Sequence, residues 1–269
     1  MSVAGARASV DSIPPQAFES ILAMTGLDDP GPPIRILIAD ERSSIAQSTP
    51  LWITGFANGS RSAIVVFPER ASSYPDDELR EVVLHEVTHV LIWRAAAGNP
   101  IPRWFNEGLA MAAGRDWTMQ DRRRLVAAMV SGSPVSLAQI ERAFSLGEAP
   151  AGRAYALSER IIRETLLRSG EDVPAEILRR VAIGAEFPDA FREVTGKSLD
   201  SAMTEFWRRQ TVWNRWVPIL SSSLTLWTAI TLLALAAIRR RRVRDAAIRK
   251  QWEQEESASS DDVPADLVN

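Results

Sequence analysis

Both histidines of the chain fall in one five-residue window, His85-Glu86-Val87-Thr88-His89. If this H-E-x-x-H binds an ion it must be helical, because on a helix positions i and i+4 project from one face, a turn apart. Two imidazoles then converge on a single cation, and imidazole is the usual nitrogen ligand of zinc. Glu86 lies about 100° round the helix from His85, beside the ion rather than on it, where it can take a proton from bound water. The bland alternative, two ordinary half-buried histidines, leaves unexplained why the chain places none elsewhere.

The window reads as a helix on separate grounds. Pro75-Asp76-Asp77-Glu78 is a start signal with acids in the first turn, and Leu79, Val82, Val83, Val90 and Leu91 are apolar positions at helical spacing. Nothing breaks the pattern before Gly98-Asn99-Pro100-Ile101-Pro102. A catalytic zinc needs a third protein ligand. With no other histidine and no cysteine, that ligand must be acidic. Glu107 is the strongest candidate. On an unbroken helix it would lie about 27 Å beyond His89, but the Gly98–Pro102 breaker lets the chain reverse and return it to the histidines. Gly108 beside it permits close backbone approach. The competing reading of Glu107 is an acid at a helix start, and Asp116 is the rival ligand.

At this point the motif resembles a known family. His85-Glu86-x-x-His89 and Asn106-Glu107-Gly108-x-Ala110, with 17 residues between His89 and Glu107, are similar to the gluzincin metallopeptidases. Trp104-Phe105-Asn106-Glu107-Gly108-Leu109-Ala110 resembles the third-ligand helix of the aminopeptidase N family. The chain's size suggests the small peptidase MA-like domains of bacteria. The resemblance covers roughly residues 34–210 and implies that His85, His89 and Glu107 bind Zn2+ and that Glu86 is the general base. It also implies a role for Tyr155, which opens a helix after the second ligand helix, as donor to the tetrahedral oxyanion. The competing reading is a core tyrosine with its hydroxyl at the surface.

Two departures qualify the likeness. Gly55-Phe56-Ala57-Asn58-Gly59 stands where aminopeptidases carry a glutamate that reads the substrate amine, and it has none. Exopeptidase action is therefore not implied. The position four after Glu107, an aspartate in thermolysin-like members, is Met111. Another group must then hold the imidazole tautomer, with Asp116 as the candidate.

Towards the C-terminus, residues 216–238 form a 23-residue run without a charged side chain. At 1.5 Å per residue this reaches about 34 Å, enough to cross a bilayer with some tilt. Trp213 and Trp216 stand where an interfacial belt would be. Arg239–Arg242, Arg244, Arg249 and Lys250 follow the run, against Arg208, Arg209 and Arg215 before it. That excess places the tail in the cytoplasm and the zinc domain outside the inner membrane. An exported domain needs a leader. None is visible in Met1–Val10, which suggests either a start further upstream or a tail-anchored cytoplasmic protein. A net charge of −3 without a basic patch in the globular part argues against nucleic acid.

The organisation expected is an N-terminal segment over 1–33 with a possible cleavage-region remnant. An α+β domain over 34–212 follows, with a short N-terminal sheet and a helical C-terminal part. A transmembrane helix is expected over 213–238 and a basic-then-acidic tail over 239–269. Ile34–Ala39 and Ser62–Phe67 read as strands, and the gluzincin resemblance implies that Ala63–Phe67, which precedes the zinc helix, is the edge that would pair with extended substrate. Turns are expected at Gly132, Gly170, Gly184 and Gly196. The function expected is a membrane-anchored zinc endopeptidase acting on peptides or proteins. The alternatives are a catalytically silent envelope interaction module and a zinc amidase on cell-wall peptides.

Overall fold

The computed structural model describes residues 3–71, 78–114, 134–220, 227, 230–242 and 244. In chain order these form α1 (Val3–Asp11), α2 (Glu19–Thr25), β1 (Arg35–Ile38), α3 (Ser44–Gln47), β2 (Gly55–Asn58), β3 (Ala63–Val66), α4 (Leu79–Ala95) and α5 (Arg103–Gly114). Then come α6 (Leu137–Ala143), α7 (Glu148–Ser169), α8 (Val173–Ala182), α9 (Phe187–Thr195) and α10 (Leu199–Leu220). The class is mixed α+β, mostly helical with one three-stranded sheet. Residues 1–210 form one compact unit and 211–269 another.

Helix α4 is built against its own propensities. Val82, Val83, Val87, Thr88, Val90 and Ile92 are β-branched, each costing up to roughly 0.7 kcal/mol relative to alanine in a helix. All six are buried. Burying an aliphatic side chain contributes roughly 1.5–3 kcal/mol, so packing outweighs propensity. Leu79, Val82, Val83, Val87, Val90 and Leu91 join Ile64 and Val66 of the sheet, with Ala6 of α1 and Ile21 of α2, in one apolar cluster. Ile92 faces the second cluster, around Trp104, Phe105, Leu109, Ile162, Ile177 and Phe187. Because α4 is enclosed on both sides, its motif residues are held by two cores. Pro75–Asp77 of the expected start signal lie outside the described residues. Glu78 takes the N-cap position in extended backbone, without a side-chain cap.

The sheet order corrects the expected edge. β3 is central, parallel to β1 and antiparallel to β2, so the edge strand on its antiparallel side is β2. β3 is apolar on both faces, as a covered strand must be: Ile64 and Val66 face α4, while Val65 packs with Phe67, Ala39 and Ala46. β2 had no strand signature, since Gly-Phe-Ala-Asn contains no β-branched residue. Its place is set by close approach. A Cβ on Gly55 would stand 2.9 Å from the Val65 carbonyl oxygen, 3.0 Å from Val82 and 3.0 Å from the Glu86 side chain.

The chain reverses between α4 and α5 where the breaker was expected. Ala97 and Gly98 adopt left-handed backbone, with φ of 50° and 77°, and α5 starts after Pro102. Its first turn is capped from a distance, the Trp104 N–H donating to Glu141 Oε1 at 2.9 Å. The turns at Gly170, Gly184 and Gly196 are present, all with positive φ. Gly132 lies outside the described residues. Helix α7 begins at Glu148, earlier than expected, so Tyr155 stands inside it rather than at its start.

In the second unit, residues 230–242 are helical and Ile230, Leu232, Leu233, Leu235 and Ile238 are exposed. No helix among the described residues is long and apolar enough to cross a membrane. The expected span over 216–238 includes residues 221–226, 228 and 229, which lie outside them. Most of the expected tail lies outside them as well.

Candidate metal centre

The reversal brings Glu107 back onto α4. His85 Nε2 and His89 Nε2 are 3.1 Å apart, and Glu107 Oε2 lies 3.4 Å from the first and 3.2 Å from the second. A tetrahedral ion with bonds of about 2.0–2.2 Å separates its ligand atoms by roughly 3.3–3.6 Å. The triangle is therefore already close to that of three ligands on one cation. His85, His89 and Glu107 are the one group of this kind among the described residues. Glu107 Oε2 is buried and has no hydrogen-bond partner, which is costly for a carboxylate oxygen unless a cation meets it. The residues fit a bound metal.

Each side chain has a local reason for its position. With its proton on Nδ1, His89 donates to Asn106 Oδ1 at 2.9 Å, which turns Nε2 towards the triangle. Asn106 thus does what Asp116, which lies outside the described residues, was expected to do. The Met111 side chain, where thermolysin-like members carry the orienting aspartate, is fully buried in the core. Gly108 lets α7 approach α5 at backbone contact, since a Cβ there would lie 2.5 Å from the Ser158 carbonyl oxygen. That approach brings Tyr155, a turn earlier on α7, to the site. Tyr155 packs edge-on against Phe144, with centroids 5.1 Å apart, and interacts electrostatically with Glu107, Arg103 and Glu86. Burial and then the Glu107 charge push its pKa up, against the lowering effect of Arg103. The phenol stays protonated, as a hydrogen-bond donor must.

Glu86 is buried beside the two candidate ligands of α4, against Gly55 of β2. Sequence reasoning missed the roles of two residues here. One is Asn106, legible only as part of the motif. The other is Arg103, whose i,i+4 spacing to Glu107 was a usable signal.

Without metal, His89 and Glu107 form an ion pair. Burial alone would lower the His89 pKa, but the neighbouring Glu107 carboxylate holds it above its ordinary 6.5. Burial would raise Glu107, yet the His89 charge and the closeness of both imidazoles hold it well below its ordinary 4.5. The signs follow from linkage. The His89 contribution to metal-free stability is complete below pH 6.5 and is lost as pH rises through its raised value. The Glu107 contribution is complete above pH 4.5 and is lost as pH falls through its lowered value. A cation must displace the His89 proton, so the rise in melting temperature caused by zinc should grow between about pH 6 and about pH 8. An equal rise at both ends would remove His89 from the ligand set.

Comparison with known proteins comes down to one finding. A family model described as Peptidase MA superfamily matches residues 16–213. No curated protein and no solved structure matches the chain.

Proposed function

The chain belongs to the Peptidase MA superfamily, and on that premise we propose that it is a zinc-dependent endopeptidase with its hydrolytic centre at His85, Glu86, His89 and Glu107. The observation that carries this reading is the triangle of donor atoms with edges of 3.1, 3.2 and 3.4 Å. A purely structural site would have no use for a buried carboxylate beside that triangle, which is where Glu86 stands.

When bound, zinc lowers the pKa of its water to about 7 and polarises a substrate carbonyl. The protein's own groups do the rest. Glu86 takes a proton from the attacking water and delivers it to the departing amine. Tyr155, kept neutral by burial and by the Glu107 charge, donates towards the charge developing on the carbonyl oxygen. Substrate backbone is presented by strand addition to the β2 edge, because β2 is both the sheet's antiparallel edge and the strand against Glu86. Gly55–Gly59 offers no carboxylate to a free amine, which favours cleavage within a chain. The test is direct. The purified protein should hold one zinc and cleave an unfolded protein substrate, lose that activity to a strong chelator, and regain it with zinc. A protein that hydrolyses equally well after chelation would exclude the metal mechanism.

The same reading includes a membrane anchor over 216–238, with the catalytic unit outside the cytoplasmic membrane and the C-terminal tail in the cytoplasm. Its support is the uncharged run, the arginine excess after it, and the exposed leucines and isoleucines of 230–238. In the gene's natural context, a reporter active only after export should be active when fused after Trp207 and silent after Asn269. If the Trp207 fusion behaves as cytoplasmic, the outside placement is wrong and envelope substrates drop out.

A further inference from the structure

One guanidinium touches both halves of the candidate centre. Arg103 precedes Glu107 by one turn of α5, the spacing at which helix side chains meet. Its Nε donates to Glu107 Oε1 at 3.1 Å, whereas Oε2 is the oxygen next to the imidazoles. The guanidinium lies over Phe144, 4.6 Å from the ring centroid, and Phe144 packs edge-on against Tyr155. The guanidinium's positive charge also acts directly on the Tyr155 hydroxyl.

We infer that Arg103 is the positioning residue of this centre, fixing both the Glu107 oxygen turned to the ligand triangle and the orientation of the Tyr155 hydroxyl. The inference rests on the metal-site reading above.

The physical argument has three parts. The last torsion of a glutamate is broad, so an unrestrained Glu107 could turn either oxygen, or both, to the imidazoles. A hydrogen bond to Oε1 removes that freedom and leaves Oε2 as the inward donor. A phenol oxygen turned towards the Arg103 charge keeps its own hydrogen free to donate into the site. Arginine suits both tasks because its planar fork serves two acceptors at fixed angles, which an ammonium cannot do. The Arg103 side chain is also 43% exposed, so its truncation removes little core packing and its effect should appear at the site.

The experiment uses the full chain with Arg103→Gln, Arg103→Lys, Tyr155→Phe and the Arg103→Gln/Tyr155→Phe double variant. It measures the zinc dissociation constant by competition with a chromogenic chelator, the melting temperature without metal, and kcat and KM on a peptide. Arg103→Gln should weaken zinc binding by about 10- to 100-fold, the range for partners that orient metal ligands, with metal-free melting unchanged. Arg103→Lys should restore zinc binding to within a few fold, because a point charge suffices for Glu107, but not kcat. Tyr155→Phe should leave zinc binding alone, and its kcat loss should not multiply with that of Arg103→Gln. Unchanged zinc affinity in Arg103→Gln, multiplying kcat losses, or a parallel fall in metal-free melting would each overturn the inference. A wild-type protein that binds no zinc would instead remove the metal-site reading.

Discussion

Glu86→Gln should lower kcat by roughly 10²–10⁴-fold, the usual contribution of a positioned proton carrier, while zinc content and melting temperature stay at wild-type values. The two halves of this expectation come from the same geometry. Glu86 is not one of the three clustered donors, so its loss removes no ligand. Glutamine has the same shape, and the site is tight: a Cβ on Gly55 would already lie 3.0 Å from the Glu86 side chain. An amide fills that space without strain but accepts a proton poorly. Turnover and metal content of the purified variant decide the matter. Activity within about tenfold of wild type would mean that Glu86 is not the proton carrier. Loss of zinc from this variant would mean that it is a ligand.

How legible this site was in the sequence differs from part to part. The motif helix, the reversal after Ala95 and the return of Glu107 could all be read, because each rests on local chemistry: helical spacing, a glycine and two prolines, and the need for a third donor. The strand that lies against Glu86 could not. Gly55–Asn58 forms a strand only because β3 pairs with it and α4 leaves no room for a side chain at Gly55, and both facts are tertiary. The expectation that β3 is an edge came from the gluzincin resemblance, through the strand's place before the zinc helix. The apolar run of β3 suits a covered central strand equally well, and periodicity does not separate the two. Asn106 and Arg103 flank Glu107 in the motif, but their partners, His89 Nδ1 and Tyr155, lie on other helices. Tyr155 was expected to open a helix. α7 in fact runs unbroken from Glu148, through Pro150 in its first turn, where a proline is tolerated.

Removing Glu107, the proposed third ligand, should have the largest effect of all. In Glu107→Ala, two imidazoles 3.1 Å apart remain as donors, and zinc binding should fall by more than the roughly 100-fold seen when only an orienting partner is lost. Hydrolysis should disappear with the metal. Glu107→Asp separates reach from charge. It keeps a carboxylate but shortens the arm by one methylene, about 1.5 Å, which is large against bonds of about 2.0–2.2 Å. It should therefore also lose most of its zinc affinity, although its charge is intact. Glu107→Ala also strands two neighbours, leaving Arg103 without its carboxylate and His89 without the charge that raises its pKa. Metal-free melting must accordingly be measured beside zinc content, so that loss of a ligand is distinguished from loss of the fold. If Glu107→Ala keeps its zinc while Asp116→Ala loses it, the third ligand is Asp116. The Glu107 contacts with both imidazoles would then belong to an orienting group rather than to a ligand.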